Sequence, residues 1–136
     1  MDTSETYIKM CEKAEQIQAM RNKVSDSWAD ENNWKEGDFY CEPGLGSGFH
    51  SGCESGEYGS LDYSTRIFLP RQDQLQEMVN YFGLLDKLKR FTNFVEDTMD
   101  PYFQEDRIEF TSMEQIWLAF VIEERFSKRW NGADWI

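Results

Sequence analysis

The sequence predicts an α+β domain, and three features carry that prediction. Apolar residues recur at helical spacing over residues 6–23 and again over 71–129. Between them Tyr63, Thr65, Ile67 and Leu69 alternate against Ser64, Arg66 and Phe68, as in a strand. A glycine- and serine-rich stretch at 25–64 is studded with aromatic residues that are costly to leave in water. A chain of 136 residues fits one domain, with a Gly/Ser-rich acidic insertion at about 43–60. Its composition, 40% hydrophobic and 15% aromatic, can fill a core and argues against wholesale disorder.

The first element is a helix over residues 6–23, with Tyr7, Met10, Cys11, Ala14, Ile17 and Met20 on one face. Thr3 or Ser4 can cap it, although no capping box is present. Short strands are expected near Asp38–Glu42 and Asp62–Leu69, joined by a partly tethered glycine-rich connection. Pro70 suits a first helical turn, where its missing N–H costs nothing. Leu75, Met78, Val79 and Phe82 give the next helix one apolar face, and Gly83 marks a bend or its end. Leu84, Leu85, Leu88, Phe91, Phe94 and Val95 form a second apolar stripe, stopped at Asp100–Pro101.

The clearest helix follows Phe110. Thr111 and Glu114 have capping-box spacing, and Met113, Ile116, Trp117, Phe120 and Val121 make its buried face. Leu118, Ala119 and Ile122 widen that face until the helix is nearly surrounded. Asn131–Gly132 is a tight-turn signal between Trp130 and Trp135, so the C-terminal residues form a small hairpin or a docked tail. They can also extend the small antiparallel sheet. The prediction is thus an N-terminal helix, that sheet, and two to three C-terminal helices.

Charge narrows the function classes. Twenty-six acidic residues against 14 Lys and Arg leave a net charge of −12, unevenly placed. Residues 26–65 hold nine acids and one base, Lys35, for −8; residues 96–114 hold seven acids and Arg107, for −6. Such a chain repels a nucleic-acid backbone, which excludes direct nucleic-acid gripping, and it steers a basic protein partner. No apolar run approaches the ~18 residues of a membrane span, and MDTSETYIKM lacks the features of a secretory signal. Three cysteines, one on a helical face, fit a reducing cytoplasm rather than a disulfide framework.

Reactive constellations are weak. Cys41, His50 and Cys53 have zinc-ligand character but fit no standard spacing, and a fourth ligand would have to be Cys11 or a carboxylate. His50 has no assignable triad partner, and the carboxylates are not paired in a diagnostic way. GLGSG at 44–48 lacks the lysine of a phosphate-binding loop and sits in repelling charge. No catalytic residue, cofactor or metal is assigned. Aromatic anchors among acids resemble a protein-binding surface instead, and the candidate contact residues are Glu31, Trp34, Glu36, Asp38, Phe39, Tyr40, Glu42, Glu54, Glu57 and Tyr58. The competing reading of the aromatics is completion of a small core.

Three blocks carry a resemblance: YIKMCEKAEQIQAMR at 7–21, FLPRQDQLQEMV at 68–79 and FTSMEQIWLAFVIEERFSKRWNGADWI at 110–136. They cover about 54 of the 136 residues and resemble a group of small, uncharacterised proteins of phages and prophages of Gram-positive bacteria. The resemblance implies no catalytic residue. Together with the acidic 26–65 segment, it implies a non-enzymatic phage accessory protein acting in the host cytoplasm, a host-defence inhibitor of the anti-CRISPR kind. Its carboxylates would stand in for phosphates in the groove of a basic host protein such as a nuclease, with Trp34, Phe39 and Tyr40 as anchors. The alternatives are a small-ligand or nucleotide binder, with Arg66 or Arg71 meeting phosphate, and a structural or self-associating phage protein, for which a homodimer is the simplest assembly.

Overall fold

The structure, a computed structural model, describes residues 1–22, 38–41, 50–51, 67–80, 83–99 and 108–136. Their order is helix, helix, three short strands, then three helices, an α+β arrangement. Contacts gather into two compact units, Ser4–Pro70 and Met1–Thr3 with Arg71–Ile136.

In the Ser4–Pro70 unit, Ser4 Oγ accepts the Tyr7 N–H and starts α1 (Glu5–Lys13). The single helix expected over 6–23 is two, because the backbone leaves helical geometry at Ala14 (φ −82°, ψ 64°) before α2 (Glu15–Asn22) begins. The Ala14 N–H turns back to the Cys11 carbonyl at 3.1 Å, closing the first helix tightly. Tyr7, Met10, Cys11, Ala14 and Ile17 remain buried, so the break bends the stripe without exposing it. Strands β1 (Phe39–Cys41), β2 (His50–Ser51) and β3 (Ile67–Leu69) form an antiparallel sheet in the order β2-β1-β3. Phe39 faces Leu69, Tyr40 faces Phe68 and Cys41 faces Ile67; on the other side Tyr40 faces His50.

The alternation in the third strand predicts one buried face, yet Ile67, Phe68 and Leu69 are all buried. Neighbouring residues of a strand point to opposite faces, so β3 is covered on both. Its outer edge is closed by a side chain: Gln18 Oε1 accepts the Phe68 N–H at 2.8 Å and Gln18 Nε2 donates to the Phe68 carbonyl at 3.0 Å. The amide acts as one more rung of the ladder and protects an edge that would otherwise pair with another chain. The Tyr7 hydroxyl, also buried, donates to the Pro70 carbonyl at the end of this strand.

Pro70 closes the Ser4–Pro70 unit and does not enter the next helix as expected; that helix lies in the other unit. Arg71 is the N-cap of α3 (Gln72–Glu77), and Gln74 Oε1 accepts the Arg71 N–H at 2.9 Å. Leu75 and Val79 are buried; Phe82 lies outside the described residues. Helix α4 (Leu84–Met99) starts immediately after Gly83, whose carbonyl accepts the Lys87 N–H. Its apolar stripe is the second departure, because no residue of α4 is fully buried and Leu84, Leu85 and Leu88 are exposed. Only Phe91 and Phe94 turn into the aromatic packing: Phe91 stacks on Trp117 at 4.0 Å, and both phenyl rings meet Phe120.

Helix α5 (Met113–Phe126) is the centre of this unit, with Gln115 to Ile122 buried without interruption and α3 and α4 packed on it. Its cap lies one residue later than Thr111: Ser112 Oγ accepts the Gln115 N–H, and Gln115 Oε1 accepts the Thr111 N–H at 3.0 Å. The helix ends at Ser127 in the left-handed region (φ 53°). Arg129 and Ile136 then exchange backbone hydrogen bonds, and Trp130 bridges Trp135 across a turn held by Asn131 Oδ1 and Gly132 (φ 93°). The hairpin therefore forms as expected, but it adds no strand to the three-stranded sheet. Among the described residues, no helix is long and apolar enough to cross a membrane.

Candidate functional site

Three of the ten candidate contact residues are described: Asp38, Phe39 and Tyr40. Glu31, Trp34, Glu36, Glu42, Glu54, Glu57 and Tyr58 lie outside the described residues. Asp38 is 2% exposed and Tyr40 7%, whereas Phe39 is half-buried. The two-residue period of a strand explains the difference. Asp38 and Tyr40 share the face that Phe68 also occupies, and Phe39 points the other way. Asp38 and Tyr40 are therefore packing groups of the sheet, not open contacts for a partner. Of the zinc-type trio, Cys41 is half-buried and Cys53 lies outside the described residues. No group of three or more His, Cys, Asp or Glu side chains converges on a metal position among the described residues.

Among the described residues, the second acidic block exposes three carboxylates, while Glu114 pairs with the N-terminal amine at 3.3 Å. Glu96, Asp97 and Glu109 are exposed and Glu114 is half-buried; Asp100, Glu105 and Asp106 lie outside the described residues. The last turn of α4, where this block begins, borders a cleft of about 120 Å³. Phe94, Phe110, Ala119 and Trp130 supply its apolar walls, and Asp97, Glu123 and Arg129 its polar rim. Each arrives for a local reason. Phe94 and Asp97 are one turn apart on α4, Ala119 and Glu123 one turn apart on α5, and the Asn131–Gly132 turn folds Trp130 back.

The rim holds two acids, Asp97 and Glu123, and one cation, Arg129. Arg129 donates to Glu123 at 2.7 Å. That hydrogen bond, then the charge of Glu123, and more weakly the charge of Asp97, hold the Arg129 pKa above its usual value. Beside it, Glu123, Glu124, Ser127, Arg129 and Ile136 border an open depression of about 630 Å³. Glu124 there pairs with Arg90 at 3.3 Å.

This geometry has the size and charge to receive one side chain with an apolar stem and a cationic head, the way Lys and Arg bury their methylenes. It lacks the enclosed volume of roughly 300 Å³ or more that a nucleotide-sized ligand needs, and its carboxylates oppose phosphate. Arg71, one of the two arginines that a nucleotide reading relies on, makes two 2.9 Å hydrogen bonds to Asp73; Arg66 lies outside the described residues. The cleft is not legible in the sequence, because its walls come from two helices, the segment before α5 and the hairpin. Its only local signal is the pair of one-turn spacings, which any amphipathic helix shows. No protein-family model, no curated protein and no solved structure matches the chain.

Proposed function

We propose that this chain is a non-enzymatic binding protein that engages a basic protein partner through its acidic surface. The observation that carries the reading is the placement of charge: −8 on residues 26–65 and −6 on residues 96–114 of a chain whose net charge is −12. Carboxylates stand in for phosphates in a basic groove, which suits a host nucleic-acid-handling protein such as a defence nuclease. The resemblance to phage and prophage proteins supports an accessory inhibitor, of the anti-CRISPR kind, acting in the host cytoplasm. Glu31, Glu36, Glu42, Glu54 and Glu57 supply charge, and Trp34, Phe39 and Tyr58 supply apolar anchors. The cleft at Asp97 and Glu123 accepts one basic side chain of the same partner. Membranes and nucleic acid itself are not partners in this reading.

Immobilised chain exposed to lysate of a Gram-positive host tests it. Retained proteins should be basic, should elute as salt rises, and should be displaced by DNA. Retention of acidic or neutral proteins that resist salt would overturn the proposal.

A further inference from the structure

Helix α4 leaves unpartnered apolar surface where a monomer would normally bury it. Leu84 is 74% exposed, Leu85 64% and Leu88 50%. The side turned to α5 is already filled by Phe91 and Phe94 against Trp117 and Phe120. The remaining face contains exposed Leu85, Leu88 and Thr92 and half-buried Val95, at spacings of three, four and three residues. That is the seam of a helix pair. Thr92 does not spoil it, because its hydroxyl donates to the Leu88 carbonyl at 2.9 Å.

Charges beside the seam identify what covers it. Lys89 follows Leu88 and Glu96 follows Val95, so both lie on the same flank, and both are exposed. Seven residues apart, they stand about 10 Å from each other along the helix, too far to pair within one chain. A second copy laid parallel would carry this flank to the opposite side of the seam, where Lys89 and Glu96 face the apolar Leu84 and Phe91 positions and find no opposite charge. A second copy laid antiparallel, with the two-fold axis near Thr92, sets Lys89 against the partner's Glu96 and repeats the pair on the other side. The pattern is thus self-complementary in one orientation only.

We infer that the exposed face of α4 is a homodimer seam, formed with a second copy of this chain packed antiparallel across Leu85, Leu88, Thr92 and Val95. One helix pair of this length lies at the small end of specific interfaces, roughly 1,000 Å² in total, so the dimer dissociates on dilution in the micromolar range. The inference is independent of the proposed partner.

Sedimentation equilibrium of the full chain from about 5 to about 500 µM is the test, because an interface this small should dissociate within that range. Monomer should give way to dimer as concentration rises. Leu85→Glu/Leu88→Glu should remain monomeric throughout, with an unchanged circular-dichroism spectrum because both residues are exposed. Lys89→Glu should weaken the dimer by about tenfold or more, since it places like charges opposite each other. Adding Glu96→Lys to that variant should restore it. A wild-type chain that stays monomeric, a dimer that survives the leucine substitutions, or a charge swap that fails to rescue would each overturn the inference.

Discussion

Gln115 is fully buried at the start of α5, and its replacement tests how that helix is anchored. Its amide accepts the Thr111 N–H at 3.0 Å and donates to Thr111 Oγ1 at 3.1 Å and to Asp2 Oδ2 at 2.7 Å. Asp2 Oδ2 also receives the Ser112 hydroxyl, the group that caps the helix. Gln115→Ala removes one charge-assisted bond, worth about 1.5–3 kcal/mol, and neutral bonds worth about 1 kcal/mol together, since exposed Thr111 recovers water. The expected loss is therefore about 2.5–4 kcal/mol, or a fall in Tm of roughly 8–16 °C for a chain of this size. Urea and thermal unfolding of Gln115→Ala, Asp2→Ala and the double variant measure it. The cycle should show a coupling of about 1–2 kcal/mol between the two residues. Strict additivity, or a Gln115→Ala loss below about 0.5 kcal/mol, would refute the view that this network fixes the start of α5.

Three other outcomes follow from individual side chains. The Arg71 guanidinium, chiefly through its hydrogen bond, holds the Asp73 carboxyl below its usual pKa. A lowered acid pKa means that the pair's contribution is present above the unfolded value and is lost as pH falls through the folded one. An NMR titration should show Asp73 moving back up in Arg71→Gln, and an ordinary Asp73 midpoint in the parent would remove the ion pair from the account. Ser127→Gly relieves a left-handed residue at the end of α5 and should add about 0.5–1 kcal/mol in urea unfolding; a loss would show that the strain lies elsewhere. Gln18→Ala opens the outer edge of β3 and should cost about 1–2 kcal/mol, with faster amide exchange at Phe68. Unchanged exchange there would contradict the side-chain rung.

How much of this could be read from residues depended on whether the cause was local. The buried α5 and the Trp130–Trp135 hairpin follow from apolar density and from Asn131–Gly132, and both have the expected form. The strands at Phe39 and Ile67 pair antiparallel, as expected of a small sheet built from the 38–42 and 62–69 regions, of which residues 62–66 lie outside the described residues. The break at Ala14 carries no signal, because alanine is the best helix former and the turn is held by Cys11 and Gln18 instead. The α4 stripe shows which side of a helix is apolar, not what lies against it, so three exposed leucines look like core in sequence. Asp38 reads as a surface acid until its strand parity with Tyr40 puts it inside. The capping residue shifted from Thr111 to Ser112 because the buried Gln115 amide, not Glu114, completes the cap. The cleft at Asp97, Glu123 and Arg129 depends on tertiary proximity alone.

If located negative charge drives association with a basic partner, the association must weaken with salt and with charge reversal. The most direct measurement is the equilibrium constant for a captured partner across a salt series, for the parent chain and for Glu31→Lys/Glu36→Lys/Glu42→Lys. The account predicts a steep fall in affinity from about 50 to about 300 mM salt, and a loss of roughly tenfold or more in the variant at low salt. A salt-independent constant, the same in parent and variant, would contradict it.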